Sequence, residues 1–180
     1  AQYQAYLDSE NVTFRQKFLL QANWLVRNAE QKGNFSVWEY KFNWPSYSLT
    51  NPFVSAMAQG HGLSVLTRAY TLTGNTTYLD VAETAMRSFE AKMRSYGVRY
   101  TDSEGVWYEE YADKSAPSSK VLNGFIFALF GLYEYSFATN NSKGYTLFWE
   151  GTHTLSRNLH RYDTGTWSRY DLLYRRPAQL

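Results

Sequence analysis

The chain has 180 residues, 18 basic against 16 acidic, with a formal net charge of +2 and no cysteine. The length fits a single domain over 1–180, and the 44% hydrophobic and 19% charged fractions fit a globular core. The near-balance of charge argues against nucleic acid as the main partner, the missing cysteines exclude a thiolate zinc site, and no run approaches the ~20 apolar residues of a membrane-spanning helix.

In chain order, Phe14, Phe18, Ala22, Leu25, Val26 and Ala29 recur at three- and four-residue steps and predict a helix over Thr13–Gln31, capped by Thr13 and stopped near Gly33. Asn34 to Trp44 alternates like a short strand or hairpin arm, and a loop follows from Pro45 to Pro52. Ser55 to Leu72 reads as a helix whose small residues Ala58, Gly60 and Gly62 let a ligand or a neighbouring helix come very close. Thr76 or Thr77 opens a second helix running to about Tyr96, with Gly97 just past its end, and the pair makes an αα-hairpin. Val98 to Tyr111 reads as a β-hairpin turning at Ser103-Glu104-Gly105. Ser118 or Ser119 then starts a long apolar helix to about Phe137, and Ser142 or Lys143 starts another to about Leu159, a second αα-hairpin. Thr164 onward looks like a turn and a short strand. The fold class is mainly α, helical hairpins with short β-hairpin inserts.

The residue patterns also remove several chemistries. His61, His153 and His160 do not form an HExxH pair, and no nucleophile elbow, phosphate loop or dinucleotide fingerprint is present, so neither a metal nor another cofactor is expected. The dense polar constellation is Tyr108-Glu109-Glu110-Tyr111, joined further on by Asn123, Tyr170-Asp171, Arg175 and Arg176. In a strand, Glu110 and Tyr111 would point to opposite faces, so one of the two glutamates and one tyrosine could share a cleft. Spacing alone favours a solvated acidic edge strand with its tyrosines packed on the body. Phe125, Phe127, Phe130, Tyr133 and Phe137 at helical spacing read as core, whereas Trp38 and Trp44, in a turn-rich segment, are candidates for stacking on sugar rings.

Five stretches in order, QANWLVRNAEQKGNF from Gln21, YSLTNPFVSAMAQGHGLSVLTRAYTLT from Tyr47, WYEEY from Trp107, PSSKVLNGFIFALFGLYEY from Pro117 and YDTGTWSRYDL from Tyr162, resemble the C-terminal helical domain of the D-glucuronyl C5-epimerases. These enzymes convert glucuronate to iduronate within heparan-type chains. The resemblance implies an incomplete α/α toroid of helical hairpins. It implies a catalytic role for Tyr111 with Glu110 beside it, a second active-site tyrosine at Tyr170 and a substrate contact at Asn123. Gln59 and His61 of the SAMAQGHG stretch are carried over as cleft-lining candidates. The family continues past YDL with an arginine one residue later and a Tyr-His stretch further on; here Leu173 stands at the arginine position and the sequence ends at Leu180. Arg175 or Arg176 is the expected substitute for the first, and Tyr174 the candidate for the second.

The reaction fits these residue types. The C5 hydrogen of a uronate lies α to a carboxylate, and its removal builds an enediolate that a cation, supplied by Arg175, Arg176 or Lys114, would stabilise. Two tyrosines could serve the two faces of the sugar, with no cofactor. The expected partner is a uronate-containing polysaccharide or glycan, with a homo-oligomer left open because family enzymes carry a β-rich N-terminal region absent here. The sequons at Asn11, Asn34, Asn75 and Asn140 lean toward a secreted or secretory-lumen protein. A carbohydrate-binding module and a polysaccharide lyase using the same cleft are the alternatives.

Overall fold

The computed structural model describes residues 1–179, and among them the protein is mainly helical, with three two-stranded antiparallel sheets. A first helix that the periodicity did not predict, α1 (Gln2–Ser9), ends on Glu10 in the left-handed region and lays Tyr3 against Phe18 of α2 (Val12–Arg27), ring centroids 5.0 Å apart. The cap of α2 is Asn11 rather than Thr13, because the Asn11 side chain accepts from the Thr13 amide at 2.9 Å. The helix also stops four residues early, since Glu30 to Lys32 leaves it to form β1 (Glu30–Lys32), which turns at Gly33 (φ 67°) into β2 (Phe35–Val37).

The next elements hold the site. Strand β3 (Glu39–Tyr40) pairs with β4 (Phe53–Val54), and Val54 exchanges both backbone hydrogen bonds with Ala112, at 3.1 and 3.0 Å. The Ala56 amide donates to the Glu109 carbonyl at 2.9 Å, so the entry to α3 (Ala56–Thr73) is tied to the chain that carries Glu110 and Tyr111. Ser55 caps α3 and Gly74 closes it, close to the expected bounds.

What packs against the small residues of α3 is another helix, α5 (Leu122–Thr139). A methyl group at Gly60 would overlap the backbone of Phe127 and Ala128, and one at Gly131 would overlap the backbone of Gly60. Gly62 makes room for the Trp38 ring instead. Helix α4 (Thr77–Met86) completes the first hairpin but breaks ten residues before the expected Tyr96. There the chain folds back, Val98 donating to the Ser88 carbonyl at 3.1 Å and Arg99 to that of Ala91 at 3.0 Å, a return in which Gly97 abuts Ala91 too closely for any side chain.

Strands β5 (Arg99–Asp102) and β6 (Gly105–Tyr108) form the expected hairpin, but the second arm ends at Tyr108, so Glu109, Glu110 and Tyr111 lie outside the ladder. Helix α5 starts at Leu122, later than the expected Ser118 or Ser119, because both serine hydroxyls are spent on the Glu109 carboxylate. The second hairpin closes with α6 (Ser142–Asn158), capped by the Asn141 side chain on the Gly144 amide at 2.9 Å. The C-terminal segment makes isolated bridges, Asp163 with Ser168 and Arg169 with Pro177, rather than a strand, and crosses the start of α5.

The core is strongly aromatic, with Phe89, Trp107, Tyr108, Phe125 and Tyr162 enclosed. Of the aromatic run expected as core on α5, only Phe125 is buried; Phe127, Phe130, Tyr133 and Phe137 are 39 to 71% exposed. Both sides of α5 are apolar, so spacing could not distinguish its buried side from its exposed one. No described helix is long and apolar enough to cross a membrane.

Candidate active site

Tyr111, Tyr170 and Glu110 meet. The Tyr111 and Tyr170 phenol oxygens are 2.8 Å apart, and Tyr170 donates to Glu110 Oε1 at 3.2 Å. A phenol has one proton, so with the Tyr170 proton on the carboxylate, Tyr111 donates to Tyr170, and the three groups form a directed chain. The other carboxylate oxygen, Oε2, is buried without a hydrogen-bond partner against Gly124, where any Cβ would overlap it. Among the WYEEY glutamates it is therefore Glu110 that belongs to the site, while Glu109 turns into the protein and binds the Ser118–Lys120 loop.

Tyr47, which the sequence did not single out, and Asp171, which it did as the neighbour of Tyr170, complete the site. The Tyr47 ring stacks on Tyr111 at 4.3 Å and 25°, and its hydroxyl donates to the fully buried Asp171 at 2.8 Å. Asp171 also accepts from the Tyr174 and Arg175 amides, at 2.5 and 3.2 Å, which turns the chain so that Arg176 faces the pocket. The Arg176 guanidinium lies 4.4 Å from the Tyr174 ring centre and 5.7 Å from that of Tyr47. Together Trp44, Ser46, Tyr47, Tyr111, Tyr170, Arg176, Pro177 and Gln179 line a cavity of about 320 Å3. The signals for Tyr47 and Asp171 were present, since both fall within the motif stretches, but only folding brings them 2.8 Å apart across 124 residues.

The remaining candidates separate. Trp44, 40% exposed, stands on the pocket wall. Trp38 does not: it is 6% exposed and its indole nitrogen donates to the Leu25 carbonyl at 2.9 Å. Gln59 is completely enclosed, its amide joined to the Trp38 backbone at 3.0 Å on both sides, so it fixes Trp38 and is closed to ligand. His61 lies in a separate cavity, its ring 4.9 Å from Phe127, and burial holds its pKa below the ordinary value. Asn123 is exposed at the start of α5 in an adjoining cavity that shares Tyr170 and Gln179 with the first. Arg175 is exposed and Arg176 takes the pocket position; Lys114 sits elsewhere, 4.0 Å from the Tyr96 ring.

The electrostatics follow from burial. Loss of water pushes Tyr111 up to about 12 and raises Tyr170 and Tyr47 further, Tyr170 with help from its bond to Tyr111 and Tyr47 with help from its bond to Asp171. All three phenols are neutral donors at pH 7. Burial also raises Glu110 above the usual carboxylate range, against the hydrogen bond from Tyr170. The two phenols are bonded to each other at one point of the pocket wall, 2.8 Å apart, rather than standing on opposite sides of a gap as two tyrosines serving the two faces of a sugar would.

A family model described as D-glucuronyl C5-epimerase C-terminus matches residues 31–180, and the chain belongs to that family. It is 36% identical over 168 residues to a D-glucuronyl C5-epimerase of Caenorhabditis elegans, covering 86% of this chain and 27% of the relative. It is 34% identical over 148 residues to an uncharacterized protein of Methanocaldococcus jannaschii, covering 80% of this chain and 47% of that protein. The chain thus spans at most about half the length of these relatives.

Proposed function

We propose that this chain is the catalytic helical part of a uronate C5-epimerase acting on a glucuronate-containing polysaccharide or glycan, its two helical hairpins forming an arc of an α/α toroid. The observation that carries the reading is the Tyr111–Tyr170–Glu110 chain opening on a cavity with Arg176 on its wall, in a member of this family.

The substrate carboxylate pairs with Arg176, which draws electron density from C5 and stabilises the enediolate as it forms. A free phenolate is scarce when burial holds the phenols protonated, and the hydrogen-bonded chain removes the need for one. As Tyr111 takes the C5 proton, its own proton moves to Tyr170 and that of Tyr170 to Glu110. The phenols end neutral, the carboxylate ends protonated, and the charge resides on the enediolate beside Arg176. Reversal of the chain returns a proton to the same face; inversion requires delivery from the other. Glu110 must be ionised to start, and its pKa lies above the ordinary range, so activity rises with pH through a midpoint higher than that of a free carboxylate.

The test is C5 deuteration of heparosan and other uronate polysaccharides in deuterated water, followed by NMR. Exchange that disappears in Tyr111→Phe and Tyr170→Phe, together with iduronate, establishes the epimerase; binding without exchange would leave a carbohydrate-binding module. The one-faced phenol pair favours a second reading, a lyase, because removing the C5 proton and protonating the 4-linked oxygen can occur from one side. An ultraviolet-absorbing unsaturated product identifies it. The exposed positions of Asn11, Asn34, Asn75 and Asn140 support a secretory route, which glycosylation mapping of the natural protein would check. The homo-oligomer expectation is carried forward to sedimentation.

A further inference from the structure

Glu109 takes no part in the proton transfers above, yet it is completely enclosed. Its Oε1 accepts from the Ser118 hydroxyl at 2.5 Å, and its Oε2 from the Ser119 amide at 2.9 Å, the Ser119 hydroxyl at 2.9 Å and the Lys120 amide at 3.0 Å. Among the described residues no cation pairs with it; the Lys120 ammonium turns to Asp102 and Glu104 instead, at 2.7 and 2.5 Å. A buried carboxylate without a counter-charge is costly, and an apolar side chain would fill the volume without that cost. The reason for it lies in what its bonds hold.

They hold the seat of Tyr170. The loop closed on Glu109 turns with Lys120 at φ 52°, and the Ser119 carbonyl accepts the Leu172 and Leu173 amides at 3.2 and 3.3 Å. The Leu122 amide, just beyond the loop, donates to the Tyr170 carbonyl at 2.9 Å. Three backbone bonds thus fix the segment whose phenol must reach both Tyr111 and Glu110. We propose that Glu109 is a positioning residue of the triad: its carboxyl group shapes the Ser118–Lys120 loop on which Tyr170 is seated, and so sets the contact of Tyr170 with Glu110. Glu110 itself faces Tyr170, Tyr111, the Gly124 amide and, on β3, Tyr40, with Glu109 behind; burial acts first to raise its pKa, the Tyr170 hydrogen bond and then the polar Tyr111 and Gly124 neighbours oppose this, and Glu109 adds to it least.

The kinetic part of this proposal rests on the epimerase reading; the structural part does not. Two variants of the full chain grade the loss, each checked for folding by circular dichroism. Glu109→Gln is expected to lower kcat for C5 exchange on the order of tenfold with KM within about twofold. Ser119→Ala removes one of the four bonds to Glu109 and keeps the other three, so kcat falls by less. Titration of the Glu110 carboxyl by carbon NMR needs no substrate, and with the Tyr170 hydrogen bond disturbed its midpoint should rise in Glu109→Gln. If the unmutated chain exchanges no proton with any uronate polysaccharide, the functional reading fails and this titration alone decides. A folded Glu109→Gln chain with an unmoved Glu110 midpoint overturns the proposal, as does unchanged kcat in Ser119→Ala should Glu109→Gln not fold.

Discussion

The α3–α5 interface and the tyrosine pocket are both close approaches, but they are made of different things. At the interface, Gly60 and Gly131 bring backbone against backbone, with no atom free to move aside. In the pocket, five polar side chains meet through hydrogen bonds of 2.8 to 3.2 Å, which can open and re-form around a ligand. The first sets where the elements stand, and the second lets chemistry happen between them. Damage to one should therefore appear as lost stability and damage to the other as lost turnover.

The largest expected effect is on the pocket side. Tyr111→Phe breaks the proton chain at its first member and should slow C5 exchange on the order of 100-fold or more, with the melting temperature within a few degrees of the parent, read by NMR exchange and calorimetry. A large fall in melting temperature would show that the pocket is part of the scaffold. Next comes the interface: Gly131→Ala forces a methyl into the Gly60 backbone and should destabilise by about 3 kcal/mol in urea unfolding. Retained stability there would mean that the helices slide apart easily and the contrast is false.

A smaller effect should run the opposite way. Burial lifts the folded-state pKa of Glu110 above its unfolded value, so its contribution to stability is fully present below the unfolded value and is lost as pH rises through the folded one. At neutral pH the ionised group is therefore a net cost. Glu110→Gln should stabilise the fold by roughly 1 kcal/mol at pH 7 and by less near pH 4, while abolishing exchange. The smallest is Trp44→Ala on the exposed wall, expected to raise KM several-fold with kcat kept, on the order of one lost ring contact.

The sequence was most legible where local rules act alone. The αα-hairpins and the β5–β6 turn followed from periodicity, caps and glycine, and the tyrosine–glutamate constellation was visible as WYEEY and YDL. It misled where a distant partner overrides a local preference. Ser118 and Ser119 are good helix caps on paper, but a buried carboxylate nine and ten residues away takes their hydroxyls. Trp38 has the composition of a sugar platform and is drawn inward by the Leu25 carbonyl and by space left at Gly62. Gln59 stands in the motif-rich stretch yet serves the Trp38 backbone. That Tyr111 and Tyr170 share one face depends on the path of the C-terminal segment over α5, which no spacing encodes.

The tight fit of Gly124 against Glu110 has a last consequence. Gly124 makes no part of the pocket wall, yet a methyl group there would displace the Glu110 carboxylate from its place beside Tyr170. Tyr47, Trp44 and Arg176, which would grip the sugar, would be left in place. On the epimerase reading, one carbon atom, supplied by a single base change in a glycine codon, would therefore separate turnover from binding alone on this scaffold.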